Sequence, residues 1–399
     1  MNLEYNKVKG GFKLTPEQEY IYEYFDEKGY FFSKEIITVY FLSLRTKPFV
    51  ILTGISGTGK TKIAQILADY MCQDDLQAEQ DKRIAFISVK PDWVDNKGLL
   101  GYYNLLDEKY HATSLIKLLL EAEKNPDKPY FVILDEMNLA RVEQYFSDFL
   151  SIMESRTPSK PEGECLELHS LKEAATKDGI HIPSKLHIPP NIYFTGTVNV
   201  DESTYMFSPK VLDRANVIEF NEVNLENYLK GVDSSEKLIL KNTDVRKELL
   251  NKDSNPFCSM EDFKIAKQIM GEDVRILQGL LDILRPYNLH FGYRAVNEIS
   301  RFIINAKEMV DNFNLSDVMD VQILQKVLPK FHGTRAKLEE PLKRLIGFCY
   351  HNDTAFNESL LSILDDKENH KNYRFPRSAF KLSRMFNNLK TQGYTSFIE

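Results

Sequence analysis

Gly54-Ile55-Ser56-Gly57-Thr58-Gly59-Lys60-Thr61 sets three glycines, a lysine and a hydroxyl into eight residues, the composition of a loop that wraps phosphate. Its glycines let successive backbone N–H groups converge on anionic oxygens, and a helix starting near Lys60 adds its positive dipole end. In such a loop Lys60 reaches the β- and γ-phosphates and the Thr61 hydroxyl ligates Mg²⁺. Downstream, the apolar run Tyr130–Leu134 ends in Asp135-Glu136. There Asp135 would hold Mg²⁺ through its water shell, and Glu136 would orient and deprotonate an attacking water. One carboxylate after one strand is commonly a helix cap, but a phosphate loop upstream in the same chain favours the catalytic reading. A third run, Asn191–Val198, delivers Asn199 to the corresponding edge, beside the γ-phosphate and its water. Arg214 then follows a short helix and precedes another strand, on a surface where a neighbouring subunit's nucleotide could use it. Arg294 lies near the start of a helix over 295–303. Either arginine alone is more often a solvated surface charge; their order along the chain gives them weight.

These side chains need strand ends and helix starts to hold them. Apolar runs near 49–53, 84–89, 130–134, 192–197 and 216–220 have the length and continuity of strands buried on both faces. Lys62–Met71 carries apolar residues at helical spacing directly after the glycine-rich loop. The pattern predicts an α/β domain over residues 30–225, with a parallel five-stranded sheet whose carboxyl edge gathers the candidate residues. Residues 1–29 read as an N-terminal helical segment, and the residues before the first strand, up to about Pro48, include helix-like stretches at 16–25 and 34–44. Residues 154–190 are rich in Pro, Lys and Glu and read as an insertion, a hairpin or loop. His181–Ile188 would form one arm, its two histidines facing solvent rather than ligating. Such an insertion either faces a partner or pore or is a passive surface loop. After Phe220, residues 221–272 read as charged and irregular, and helical periodicity dominates from Asp273 onward. Arg377–Lys390 combines a basic face with an apolar stripe, which either contacts DNA or packs with its lysines in water.

The order of phosphate loop, Asp-Glu strand, polar strand end, arginine in a turn and arginine at a helix start resembles the AAA+ family of ring-forming NTPases. Three stretches resemble its McrB branch, the NTP-driven motor subunit of modification-dependent restriction systems: Leu134–Glu143, Gly196–Thr204 and Trp93–Asn104. Leu328–Gly333, Lys381–Met385 and Gly393–Phe397 are similar to the ends of McrB-type chains, so the resemblance runs from about Lys34 to the C-terminus. It implies an AAA+ P-loop fold with an all-helical lid and C-terminal helical extension over 226–399. It further implies Mg²⁺ as cofactor, GTP or ATP as substrate, and catalytic roles for Glu136, Asn199, Arg214 as a finger acting in trans, and Arg294 as a sensor. Partners implied are other copies of the chain in a ring, expected to be a hexamer, and a McrC-like nuclease; DNA would be met through the complex or a separate specificity domain. The family's Met-Asn-x-x-Asp element, tied to its GTPase activity, stands here as Val198-Asn199-Val200-Asp201-Glu202, which leaves GTP against ATP open. McrB-type proteins commonly carry an N-terminal reader of modified DNA, and the residues before the first strand look too few for one. Target recognition is therefore expected in another protein or in residues missing from a truncated chain. Two alternatives remain: a MoxR-like remodelling ATPase acting on proteins, and a nucleotide-gated assembly scaffold with little turnover. Intact Glu136 and Arg214 weigh against the scaffold. No Asp…Glu-x-Lys nuclease pattern follows a strand outside these motifs, so DNA cleavage would fall to the partner.

Composition agrees with a soluble machine of two or three packed units in 399 residues. A net charge of −7 argues against a broad DNA-binding surface, while leaving room for local positive charge along a channel. The sequence has no run of about eighteen apolar residues and no basic-plus-apolar leader, so a cytoplasmic location without membrane contact is expected. Cys72, Cys165, Cys258 and Cys349 are far apart and form no Cys-x-x-Cys pair. They suggest neither zinc nor a disulfide framework and read as ordinary buried thiols.

Overall fold

Phe49–Gly54 (β1) is buried at every residue, the pattern of a strand covered on both faces. In this computed structural model, which describes residues 12–73, 82–157, 160, 162–200, 205–221, 249, 257–351, 354–364 and 367–398, it is joined by Ile84–Ser88 (β2), Tyr130–Asp135 (β3), Ile192–Asn199 (β4) and Asn216–Glu219 (β5). The result is an α/β fold with a five-stranded parallel sheet in the order β5-β1-β4-β3-β2. The register decides what meets at the carboxyl edge. Gly54 pairs with Asn199, Gly196 pairs with Leu134, and Ser88 pairs with Asp135. The start of the phosphate loop, the Asp-Glu pair and the polar end of β4 therefore lie side by side.

Helices Tyr20–Glu27 (α1), Lys34–Thr46 (α2), Lys60–Met71 (α3), Ser114–Lys124 (α4) and Ser147–Ser155 (α5) accompany the sheet. Ser33 caps α2 by accepting the Ile36 N–H, and Thr113 caps α4 by accepting the Ile116 N–H. The Tyr40 hydroxyl of α2 meets Thr195 of β4 at 2.7 Å. Phe146 stacks on Phe149 at 4.9 Å, and Phe194 meets both rings edge-on. Such pairs add specific geometry to the area they bury, and here they fix the middle of β4 against α5.

Contacts divide the chain into two units, the first mostly Pro16–Ala215 and the second mostly Cys258–Glu399, with Asn216–Glu219 grouped in the second. In the first, the stretch read as an insertion folds into two small antiparallel pairs, Cys165–Glu167 with Lys185–His187 and Ala174–Ala175 with His181–Ile182. His181 is exposed. His187 is not simply solvent-facing: it is half-buried, with Nε2 3.2 Å from Cys165 Sγ, because the register places the two residues opposite one another. Cys72 and Cys349 are buried, whereas Cys165 and Cys258 are only half-buried.

The second unit is helical, with Met260–Met270 (α6), Arg275–Leu284 (α7), Tyr293–Met309 (α8), Leu315–Gln322 (α9), Arg335–Phe348 (α10) and Pro376–Gln392 (α11). Helix α6 lies within the stretch read as irregular. The Ser259 side chain accepts the Glu261 N–H while Asp262 accepts the Ser259 N–H, a reciprocal cap that starts a helix despite the surrounding charge. One two-stranded sheet joins the helices, as His332–Thr334 pairs antiparallel with Tyr394–Ser396. The basic face of α11 is partly internal: Lys381 is buried and paired with Glu219 at 2.9 Å. Arg377 lies 3.5 Å from Asp317. Among the described residues no helix is long and apolar enough to cross a membrane.

Candidate active site

The loop after β1 takes its shape from three glycines at positive φ, Gly54, Gly57 and Gly59. Gly54 has φ +154°, and a Cβ there would lie 2.2 Å from the Phe220 carbonyl oxygen; Gly59 has φ +96° and directly precedes α3. A side chain at Gly54 would push the loop away from Phe220 and Asn221. Lys60 is buried, and its ammonium donates to the carbonyls of Gly54 at 2.9 Å and Ile55 at 2.7 Å, which holds its positive charge inside the curl of the loop. Ile55, Ser56 and Gly57 form the exposed crest, and the half-buried Thr58 donates its hydroxyl back to the Ile55 carbonyl at 2.9 Å. The Ile55 N–H is held by Asn221 Oδ1 at 3.0 Å.

Thr61, one residue into α3, donates its hydroxyl to Asp135 Oδ1 at 2.7 Å. The Thr197 hydroxyl donates to the same oxygen at 2.8 Å and accepts the Glu136 N–H at 3.0 Å. Asn199 Nδ2 donates to Glu136 Oε1 at 3.3 Å. Thr61 and Asp135 thus supply an all-oxygen donor set suited to a hard divalent cation such as Mg²⁺. Glu136 adopts φ +52°, a left-handed conformation uncommon for a residue with a side chain and concentrated at functional sites.

The turn after Glu136 is clamped from several sides. The Tyr145 hydroxyl donates to the Met137 carbonyl at 2.8 Å, and burial pushes that phenol well above its usual range, so it remains a donor. Asn138 Nδ2 donates to the Asn199 carbonyl at 3.2 Å. Gly196 makes room for Met137, since a Cβ there would lie 2.4 Å from Met137 Sδ. Trp93 packs edge-on against Tyr145 at 5.4 Å and against Gly98, where a Cβ would fall 2.3 Å from the indole.

A family model described as Domain of unknown function (DUF8727) matches residues 243–394, less than half of the chain. No curated protein matches the sequence. Among solved structures, the chain is similar to a candidate ATPase from Cytophaga hutchinsonii, with 13% identity and a TM-score of 0.41 over 78% of this chain and 88% of that one.

Gly54, Ile55, Ser56, Gly57, Thr58, Gly59, Lys60, Thr61, Asp135, Glu136 and Asn199 come together at one edge of the sheet. Arg214 sits in the turn before β5, largely shielded and ion-paired with Glu154 of α5. Arg294 belongs to the second unit, where it is exposed in the first turn of α8. Asp201 and Glu202 lie outside the described residues. Sequence reasoning passed over Thr197 and Tyr145. Thr197 could have been found from the two-residue period of β4, which puts it on the same face as Asn199; Tyr145 carries no such signal, because its hydroxyl acts on a backbone carbonyl.

Proposed function

We propose that this chain is a Mg²⁺-dependent nucleoside triphosphatase of the AAA+ type, hydrolysing GTP or ATP at the β–γ bond. The convergence of Thr61, Asp135, Glu136 and Asn199 beside the phosphate loop carries the reading. Backbone N–H groups of the loop and Lys60 bind the phosphate oxygens. The Thr61 hydroxyl and, through the ion's water shell, Asp135 would hold Mg²⁺, which would supply charge neutralisation at the phosphates. Glu136 takes a proton from water as the water oxygen attacks the γ-phosphorus, and the bond to the β–γ bridging oxygen breaks with its electron pair leaving on the diphosphate. Asn199 holds the Glu136 carboxylate in place, and Thr197 fixes the backbone that presents it.

Within AAA+ proteins we place the chain in the McrB-like branch, as a cytoplasmic, ring-forming motor for a McrC-like nuclease in DNA restriction or phage defence. The resemblance of the Trp93–Asn104, Leu134–Glu143 and Gly196–Thr204 stretches supports this, and Trp93, Met137, Asn138, Gly196 and Asn199 from them come together with Tyr145 around the turn that carries Glu136. In the ring, Arg214 would leave Glu154 to meet the neighbouring subunit's γ-phosphate; the resemblance gives Arg294 the role of a sensor. The direct test is isothermal titration of GTP and ATP into Lys60→Ala. Triphosphate binding should be abolished with the fold intact; unchanged affinity for both nucleotides would remove the loop as the site.

A further inference from the structure

The phosphate loop and its carboxylates account for the reacting end of a nucleotide and leave its base unplaced. The link between α1 and α2 offers a surface for it. Tyr30 and Phe32, two residues apart, hold their rings nearly parallel, with centroids 6.2 Å apart and 9° between planes. Phe32 is anchored edge-on by Phe25 at 5.7 Å and by Phe220 at 5.5 Å. Its ring also lies flush on the loop: a Cβ at Gly59 would stand 3.0 Å from Phe32 Cε1 and 3.1 Å from Cζ. The outer ring, Tyr30, is 37% exposed. The pair therefore runs outward from the residue just before Lys60. Thr61, on the same helix start, points its hydroxyl at Asp135, which commits that side to the reacting phosphate. The nucleoside must leave the loop in another direction, and the Tyr30–Phe32 pair is an aromatic surface touching the loop.

We infer that Tyr30 and Phe32 form a stacking platform for the purine base of the triphosphate held by this loop, an inference that rests on the proposed nucleotide site. Stacking on an aromatic ring accepts any base through its π-face, and the two-ring purine covers more of the platform than a pyrimidine does. The platform serves ATP and GTP alike and favours both over UTP.

The experiment is titration of the full chain, with Mg²⁺, against ATP, GTP, UTP and inorganic tripolyphosphate, which has the phosphates but no base. Tyr30→Ala should weaken ATP and GTP by roughly tenfold, within the range for losing one base–aromatic contact. It should leave tripolyphosphate affinity unchanged, and Tyr30→Phe should bind as the original chain does. Phe32→Leu, which keeps apolar volume under the loop, should reduce the ratio of ATP to tripolyphosphate affinity in the same direction. Loss of tripolyphosphate affinity in parallel with ATP, or an unchanged ratio in both variants, overturns the platform while the loop stands. Failure of the original chain to bind any of the four overturns the underlying site as well.

Discussion

Asn199 Nδ2 donates to Glu136 Oε1 over 3.3 Å, linking the end of β4 to the residue that follows β3. The contact holds one oxygen of the carboxylate. It also makes Asn199 a positioning group for the candidate base.

Glu136→Gln keeps the side chain's size and its acceptor for Asn199 but cannot take a proton. Nucleotide binding should persist while turnover falls by about 10²–10⁴-fold, the usual loss with a general base. Phosphate release at the original rate would move the base elsewhere, with Asn199 and Asp201 next to examine.

Thr197→Val replaces the hydroxyl that joins Asp135 to the Glu136 N–H with a methyl of similar shape. Affinity for nucleotide in the absence of Mg²⁺ should change little, while turnover should fall and Thr197→Ser should restore most of it. If Thr197→Ser is as slow as Thr197→Val, the methyl packing matters and the hydroxyl does not.

Arg214 is ion-paired within its own chain to Glu154, so action in trans requires an exchange of partners. Arg214→Ala should retain single-chain nucleotide affinity and lose hydrolysis by roughly the 10³–10⁵-fold contributed by arginine fingers in other NTPases. Mixing it with Glu136→Gln subunits should restore activity at interfaces that pair an intact Glu136 with an intact Arg214. Mass photometry and phosphate release read both assembly and rescue. Activity per chain that ignores concentration, with no rescue on mixing, would falsify the ring mechanism.

Asp320 in the second unit accepts the backbone N–H groups of Arg377 and Ser378, each at 2.8 Å, at the start of α11. Burial raises its pKa, against the opposing pull of the Arg377 charge and the Ser378 hydrogen bonds. A carboxyl raised in the folded state stabilises the fold below its unfolded value of about 3.9. That contribution is lost as pH rises through the folded pKa. Asp320→Asn, which cannot ionise, should therefore gain in thermal midpoint relative to the original chain as pH goes from about 4 to 7. The opposite trend would mean that Arg377 and the N–H donors outweigh burial.

The sequence by itself determined the strands and the candidate residues at their ends. Gly54–Thr61 after one apolar run, Asp135-Glu136 after a second and Asn199 after a third are local signals. A strand buried on both faces must be continuously apolar, and a phosphate loop must be rich in glycine. All five predicted strands are present within one or two residues of the expected bounds. Helix α6 was misread because a reciprocal cap is a matter of two side chains, and the charge around it masks the period. Only the tertiary structure decided the rest. The register of β1, β4 and β3 selected Thr197 as the bridge between the Asp135 carboxylate and the Glu136 N–H, and packing joined Trp93, Gly98, Tyr145, Met137 and Gly196 around one turn. It also set Phe32 on Gly59 and buried Lys381 against Glu219. Those contacts join residues far apart in the chain, and no local periodicity encodes which surfaces meet once the strands are ordered out of sequence.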